Sequence, residues 1–318
     1  MRGNAGSGPR DDEFSQPSPG PGLAEALVVL ALFAVVGVVK LVTYSRIPPH
    51  ELYHVSHDGI AGGASRVLVF LNYPTALMAI AMLMLVADRL RPRWPALVAL
   101  ALCLLILVPG VVDQSNLDAQ WINVLPALGV ALTVGLVAWT ARRDGIGGAG
   151  SSTGDRARIL VAAVLALVAL PWIFAEAGFY IGDVPLLGDV FRSKQVYQGH
   201  ASVHLGEHHG LEGLLLVLTA FLLTRELPRM RTAWLRTALA VYLSMMIAYG
   251  LGNMVNDTWL EQVVKRGWTD WEIPGVIRPG LTWMWGLVIA VGAAIYVLFW
   301  RSPGTRRGGS TAGTESPL

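Results

Sequence analysis

Apolar residues in this chain run in long uninterrupted blocks separated by short polar segments. The alternating or one-sided patterns of a soluble fold are absent from these blocks. Crossing the hydrocarbon of a bilayer takes about 20 apolar residues in a helix. Eight blocks meet or approach that length: 23–42, 67–87, 95–112, 121–140, 159–179, 203–224, 234–254 and 281–300. The pattern predicts an all-α, polytopic membrane protein of about eight transmembrane helices. The first block is too long for the apolar stretch of a signal peptide, and no small-residue cleavage site follows it, so it is expected to be a retained helix.

The polar segments divide the chain further. Residues 1–21 are rich in Gly, Pro, Ser and charge, and 302–318 in Gly, Ser and Thr. Neither can bury a core, so both are expected to be disordered cytoplasmic tails around one integral domain, 22–301. A Gly/Ser-rich linker at 141–158 splits the helices four and four. An even number of spans leaves the two four-helix halves parallel, each with a long outer loop after its first helix. An internal duplication would produce this layout, and so would two loops that are merely the polar ones.

Composition supports lipid as the solvent. Apolar residues make up 53% of the chain and charged residues 14%, with mean hydropathy +0.52, where a soluble domain carries roughly a quarter charged residues. A net charge of +2 gives no reason to expect nucleic acid. The one cysteine, Cys103, excludes an intrachain disulfide and a thiolate metal cage. Of the 24 Lys and Arg residues, only Lys40, Arg46, Arg66, Arg192, Lys194, Lys265, Arg266 and Arg278 fall outside when the N-terminus is placed inside. Sixteen remain on the inner side (24 − 8). The positive-inside rule therefore predicts a multi-pass cell-membrane protein with both termini in the cytoplasm.

Candidate chemistry concentrates in the histidines. All 7 lie in two places, His50, His54 and His57 before the second block and His200, His204, His208 and His209 before or at the start of the sixth. Pro48-Pro49 can start a helix, which would set His50, His54 and His57 on one face with Asp58 beyond. His200, His204 and His208 follow at i, i+4 and i+8, with Glu212 continuing the stripe. Imidazoles one helical turn apart can converge on one metal ion. Counted back from Arg225 at about 1.5 Å per residue, Glu212 lies roughly 20 Å above the inner boundary and His208 and His209 roughly 25 Å above it. Ionisable groups at that depth are functional candidates by default. Glu176, after Pro171, joins them if a kink turns it inward. Asn72, Asp113, Asn123, Asn253, Asn256 and Asp257 add polarity at the outer level, the asparagines being expected to cap helices and bond across them.

Parts of three known patterns are present. His204-Leu-Gly-Glu-His208 is similar to the H-x-x-E-H motif of inverzincin proteases, in which two His bind zinc and the Glu activates water. His50-x3-His54 and His204-x3-His208-His209 are similar to the boxes of membrane di-iron hydroxylases and desaturases. Eight helices in two halves look like heme A synthase. The chain lacks the soluble domain of the first, one box and the cytoplasmic side of the second, and the ligand histidines of the fourth and eighth helices of the third. No family's residues are carried over.

These readings converge on an outward-facing metal site. His204 and His208 are the expected ligands, with His54, His57, Asp58 and His200 as further metal candidates and Glu207, Glu212 and Glu176 as candidate base or orienting partners. Imidazole and carboxylate without thiolate suit a divalent metal, zinc first, with heme as an alternative cofactor. The function expected is a metal-dependent membrane enzyme, a hydrolase or transferase acting on a lipid or other small amphiphile. The alternatives are a transporter or assembly factor that binds metal or heme, and a non-catalytic membrane scaffold.

Overall fold

The computed structural model describes residues 23–51, 54–112, 116–148, 150–151, 154–179, 188–192, 196–197, 200–201, 209–276 and 282–301. The two expected tails lie outside them. Nine α-helices are seen among the described residues: α1 (Ala24–Tyr44), α2 (Gly59–Arg89), α3 (Trp94–Leu104), α4 (Trp121–Asp144), α5 (Asp155–Val168), α6 (Leu170–Glu176), α7 (His209–Leu223), α8 (Ala233–Trp259) and α9 (Trp283–Phe299). The fold is all-helical apart from a two-stranded hairpin in which Val196–Tyr197 pairs antiparallel with His200–Ala201.

Each of the eight apolar blocks forms helix, and α5 with α6 accounts for one block. By length and apolarity, α1, α2, α4 and α8 are able to cross a membrane, four helices against the eight expected. A fifth is added if α5 and α6, bent by 59° across Ala169, form one broken span. The break falls beside Pro171, which sits in the first turn of α6, where its missing N–H costs nothing. As described, α3 with its terminal 3-10 turn (Leu105–Leu107), α7 and α9 are shorter than the blocks predicted, residues 203–208 of the block that holds α7 lying outside the described residues.

Buried side chains of α2, α7 and α8 form the centre of the bundle, and α1, α3, α4 and α9 flank them. At the crossing of α7 and α8 the two backbones approach closely. A Cβ on Gly213 would lie 2.4 Å from the Gly250 carbonyl oxygen, and one on Gly250 would lie 2.5 Å from that of Gly213. Small residues let helix backbones meet in lipid, where van der Waals contact takes the place of the hydrophobic effect.

One end of the bundle is rich in arginine. Arg89 and Arg229 pair with Glu226 at 3.2 and 3.1 Å, and Arg225 reaches Glu25 and Asp155, each at 3.5 Å. Asp88 accepts the backbone N–H groups of Arg231 and Thr232, both at 2.8 Å. Arg225 and Arg229 also donate to the carbonyls of Gly150 and Gly148, tying the described part of the 141–158 linker to the bundle.

At the opposite end the first histidine segment departs from expectation. The described residues of this segment, 48–51 and 54–58, are turn and irregular backbone, and helix is next seen at Gly59. The reason is Arg66, fully buried, whose guanidinium donates to the carbonyls of Tyr44, Ile47, Pro48 and Glu51 at 3.0–3.1 Å. Carbonyls turned toward Arg66 are not aligned for helical i→i−4 bonds. His50, His54 and His57 therefore do not share a helical face.

The Gly213–Gly250 contact yields a direct test. Gly250→Ala is expected to lower the melting temperature of the purified protein in detergent, the overpacking cost being about 1–3 kcal/mol. Gly135→Ala in α4, where an added Cβ meets nothing within 4 Å, is the matched control. It should melt at the wild-type temperature or slightly above.

Candidate functional site

At the end of the bundle away from the arginines, α1, α6, α7 and α8 bring ionisable groups together in the interior. Lys40 lies in the last two turns of α1 and is 0% exposed. Its ammonium donates to Glu176 Oε1 at 2.9 Å and lies 3.8 Å from Glu212 Oε1. The Tyr44 hydroxyl also reaches Glu176 Oε1, at 3.4 Å. The rings of Tyr44 and Phe70 each have their centroid 5.9 Å from Lys40 Nζ, within cation–π range.

Local sequence explains how each group arrives there. Glu176 ends α6, and the bend between α5 and α6 directs that short helix toward α1. Thr43 Oγ1 secures it by donating to the Glu176 carbonyl at 2.7 Å. Glu212 stands in the first turn of α7, where the unpaired N–H groups of a helix start favour negative charge. On the same turn, the Gly210 N–H donates to Asp257 Oδ2 of α8 at 2.9 Å. A side chain at 210 is excluded by the buried Trp172 ring, since a Cβ there would fall 2.3 Å from its carbons. His209 Nδ1 lies 3.9 Å from Glu212 Oε2.

The balance of charge matters chemically. Glu176, Glu212 and Asp257 are 4%, 6% and 3% exposed, and Lys40 is the cation that touches two of them. Glu176 Oε2 and Glu212 Oε1 accept no hydrogen bond among the described residues. A desolvated carboxylate oxygen in that state calls for a further cation or a proton.

The candidates from sequence separate into three groups. Glu176 and Glu212 are brought together on Lys40. His54, His57 and Asp58 are exposed and belong to a different neighbourhood, where Asp118 accepts the Ser56 N–H at 2.7 Å and the Ser56 hydroxyl at 2.6 Å. These bonds, with smaller contributions from His54 and His57, hold the Asp118 carboxyl below its usual range. His200 lies in the short hairpin, so the helical ladder from His200 to His208 does not exist as drawn. His204, Glu207 and His208 lie outside the described residues, as does Asp113. Among the described residues, no three His, Cys, Asp or Glu side chains are grouped to hold a metal ion.

Three of the four asparagines act as expected on backbone, Asn253 being the exception. Asn123 caps α4 together with Gln120, Asn72 donates to the Asn123 carbonyl at 2.9 Å, and Asn256 to that of Ile273 at 2.6 Å. In the sequence Lys40 counts only among the outer-side cations of the charge balance, and its central position is not foreseen. The available signal was a lysine inside an otherwise apolar run.

Comparisons with protein-family models, curated proteins and solved structures find no match to this chain.

Lys40→Met removes the ammonium and leaves two buried carboxylates facing each other. Breaking a buried ion pair from one side costs about 3–5 kcal/mol. The variant should show a clearly lower melting temperature in detergent, and Glu176→Gln in the same chain should recover part of the loss. A Lys40→Met protein that melts like the wild type would show that the pair does not hold α1 to α6.

Proposed function

We propose that this chain is a multi-pass cell-membrane protein with eight crossings, both termini in the cytoplasm and its working site near the outer face. The arginine-rich end, where Arg89, Arg225 and Arg229 gather with the 141–158 linker, is on this reading the cytoplasmic end. The three shorter helices cross with help from flanking residues or local thinning of the bilayer.

The site is read as that of a metal-dependent enzyme, a hydrolase or transferase acting on a lipid or other small amphiphile. The observation that carries this is the surplus of buried carboxylate around Lys40, with Glu176 Oε2 and Glu212 Oε1 accepting no hydrogen bond among the described residues. Such a surplus favours a bound cation. His204, Glu207 and His208 lie within five residues before His209, the first described residue of α7, in the sequence. On this reading His204 and His208 bind a divalent ion, zinc first, and Glu212 or Glu207 serves as base or as partner to a ligand imidazole. A bound divalent ion would supply a water acidic enough to attack at neutral pH. The exposed positions of His54, His57 and Asp58 beside Asp118 weaken their candidacy as further ligands.

A transporter of metal or heme is the second reading, and the rest of the bundle counts against it. Below the cluster the buried faces of α2, α7 and α8 are lined by residues such as Met78, Met82, Leu216, Leu223, Leu239 and Leu243. A polar path to the arginine-rich end is not seen among the described residues.

Two measurements test the proposal. Metal analysis of the purified protein should find about one or two equivalents of a divalent first-row metal. His204→Ala with His208→Ala should remove it, and Glu212→Gln should reduce it. Metal-free wild-type protein, or content unchanged by the double substitution, overturns the metal site. For topology, a reporter fused within 141–158 should signal cytoplasm and one within 183–189 the outside, and the reverse pattern overturns the orientation.

A further inference from the structure

A second feature lies beside the cluster on the far side of the α7–α8 crossing. A pocket of about 200 Å³ opens between α2, the turn after α3, α8 and α9. Its walls include Tyr73, Tyr242, Met245, Met246, Tyr249 and Trp285. The Trp285 ring stacks on Tyr249 with centroids 5.7 Å apart and planes at 24°, and Tyr73 lies 6.4 Å from Tyr249 on the other side. Of the three tyrosines that line the pocket, Tyr242 has its hydroxyl turned to backbone, donating to the Leu77 carbonyl at 2.9 Å. The rest of the lining is mainly ring carbon, aliphatic carbon and thioether.

We propose that this pocket holds the hydrocarbon chain of a membrane lipid that is the amphiphile handled at the Lys40–Glu212 cluster. The inference rests on the reading of that cluster given above and names its substrate class. Size and surroundings select the occupant. At about 30 Å³ per water-sized group, the space takes roughly six or seven chain carbons. A protein helix, with a diameter of about 10–12 Å, is too wide to enter it. An ion or polar head would meet a lining made mainly of Leu77, Leu107, Met245, Met246, Val288 and aromatic rings, with no charged side chain in it. Apolar cavities of this size stay dry and accept apolar ligands, and at this level of a bilayer-embedded bundle the surrounding medium is hydrocarbon. Methionines at 245 and 246 suit a chain of variable shape.

The link to the cluster runs along α8. Asn253 stands one turn beyond Tyr249, is 3% exposed, and its Oδ1 accepts no hydrogen bond among the described residues. Its Cβ packs against Gly213, 3.2 Å from where a Cβ on that residue would sit, and Gly213 follows Glu212 directly. On this proposal a chain seated against Tyr249 and Trp285 has its polar end on the Asn253 side, the side of α8 that meets the start of α7.

Photolabelling of the full-length protein in phosphatidylglycerol–phosphatidylethanolamine vesicles tests this. The probes are two photoreactive phosphatidylglycerols, one with a diazirine in the acyl chain and one with it on the headgroup, and adducts are mapped by peptide mass spectrometry. The chain probe should mark Met245, Met246, Tyr249 or Trp285, and the headgroup probe Asn253 or His209. Met246→Trp, or Val288→Phe if that variant does not fold, should fill the pocket and abolish the chain adducts there. Adducts at lipid-exposed Val35 and Leu160 and the metal content should be unchanged. Adducts confined to such exposed positions mean boundary lipid only and overturn the proposal, as does labelling at Tyr249 that survives both fillings. Chain adducts in the pocket without headgroup adducts at Asn253 or His209 overturn the connection to the cluster. Pocket labelling in a wild-type protein that holds no metal means that the metal reading alone has failed, and metal retained without pocket labelling means that this inference alone has failed.

Discussion

The ammonium of Lys40 has no exposure to solvent, and the architecture at this end of the bundle follows from keeping it compensated. A charge withdrawn from water into protein and lipid is tolerated only when an opposite charge and hydrogen bonds replace its hydration. Glu176 supplies both at 2.9 Å, so the end of α6 must lie against the last turns of α1. That requirement explains the broken course of the preceding span, because a straight helix continuing α5 would carry Glu176 along a different line. The 59° bend at Ala169 and the proline that opens α6 redirect the chain. Glu212, 3.8 Å from the same ammonium, then brings the start of α7 into the contact. Residues far apart in sequence thus meet on one lysine, and one lysine does not neutralise both carboxylates.

The second constraint is the closeness of α7 and α8. Opposed glycines at 213 and 250 bring the backbones together, so the N-terminus of α7 lies within reach of Asp257 on α8. The helix start offers unpaired N–H groups and a favourable dipole to Asp257 and Glu212, which helps to hold acidic side chains in a buried place. Beyond this first turn α7 turns apolar, and its buried residues run through Leu214, Leu215, Leu216 and Val217. Polarity at one end and hydrocarbon through the rest confine any chemistry to the level of the α7 start.

Much of the helix layout was legible in sequence, because burial in lipid requires long apolar runs and eight of them can be read directly. What was not legible depended on contacts between distant residues. Pro48-Pro49 is a fair helix start, yet Arg66, on the next helix, takes the local carbonyls for itself. His200 fits a helical ladder by spacing, yet its segment pairs as a hairpin with Val196–Tyr197. Glu176 and Glu212 stood out as ionisable residues inside apolar blocks, and both meet at the buried cluster. Lys40 was harder to recognise, because a cation near the end of a span is ordinarily a snorkelling boundary residue. Only the arrival of α6 and α7 shows that its charge points inward.

The two sides of the α7–α8 crossing differ in kind while sharing the same wall. On one side are Lys40, Glu176 and Glu212; on the other are Tyr73, Tyr249 and Trp285 around apolar space. Glycines 213 and 250 make the contact between the two helices there. Asn253 and the Tyr249 hydroxyl mark the transition, one helical turn apart on α8. An ion alone has no use for the aromatic side, and a hydrocarbon alone has no use for the acidic one. The amphiphile proposed above is the class of molecule that would use both, its polar end on the acidic side and its chain on the aromatic one.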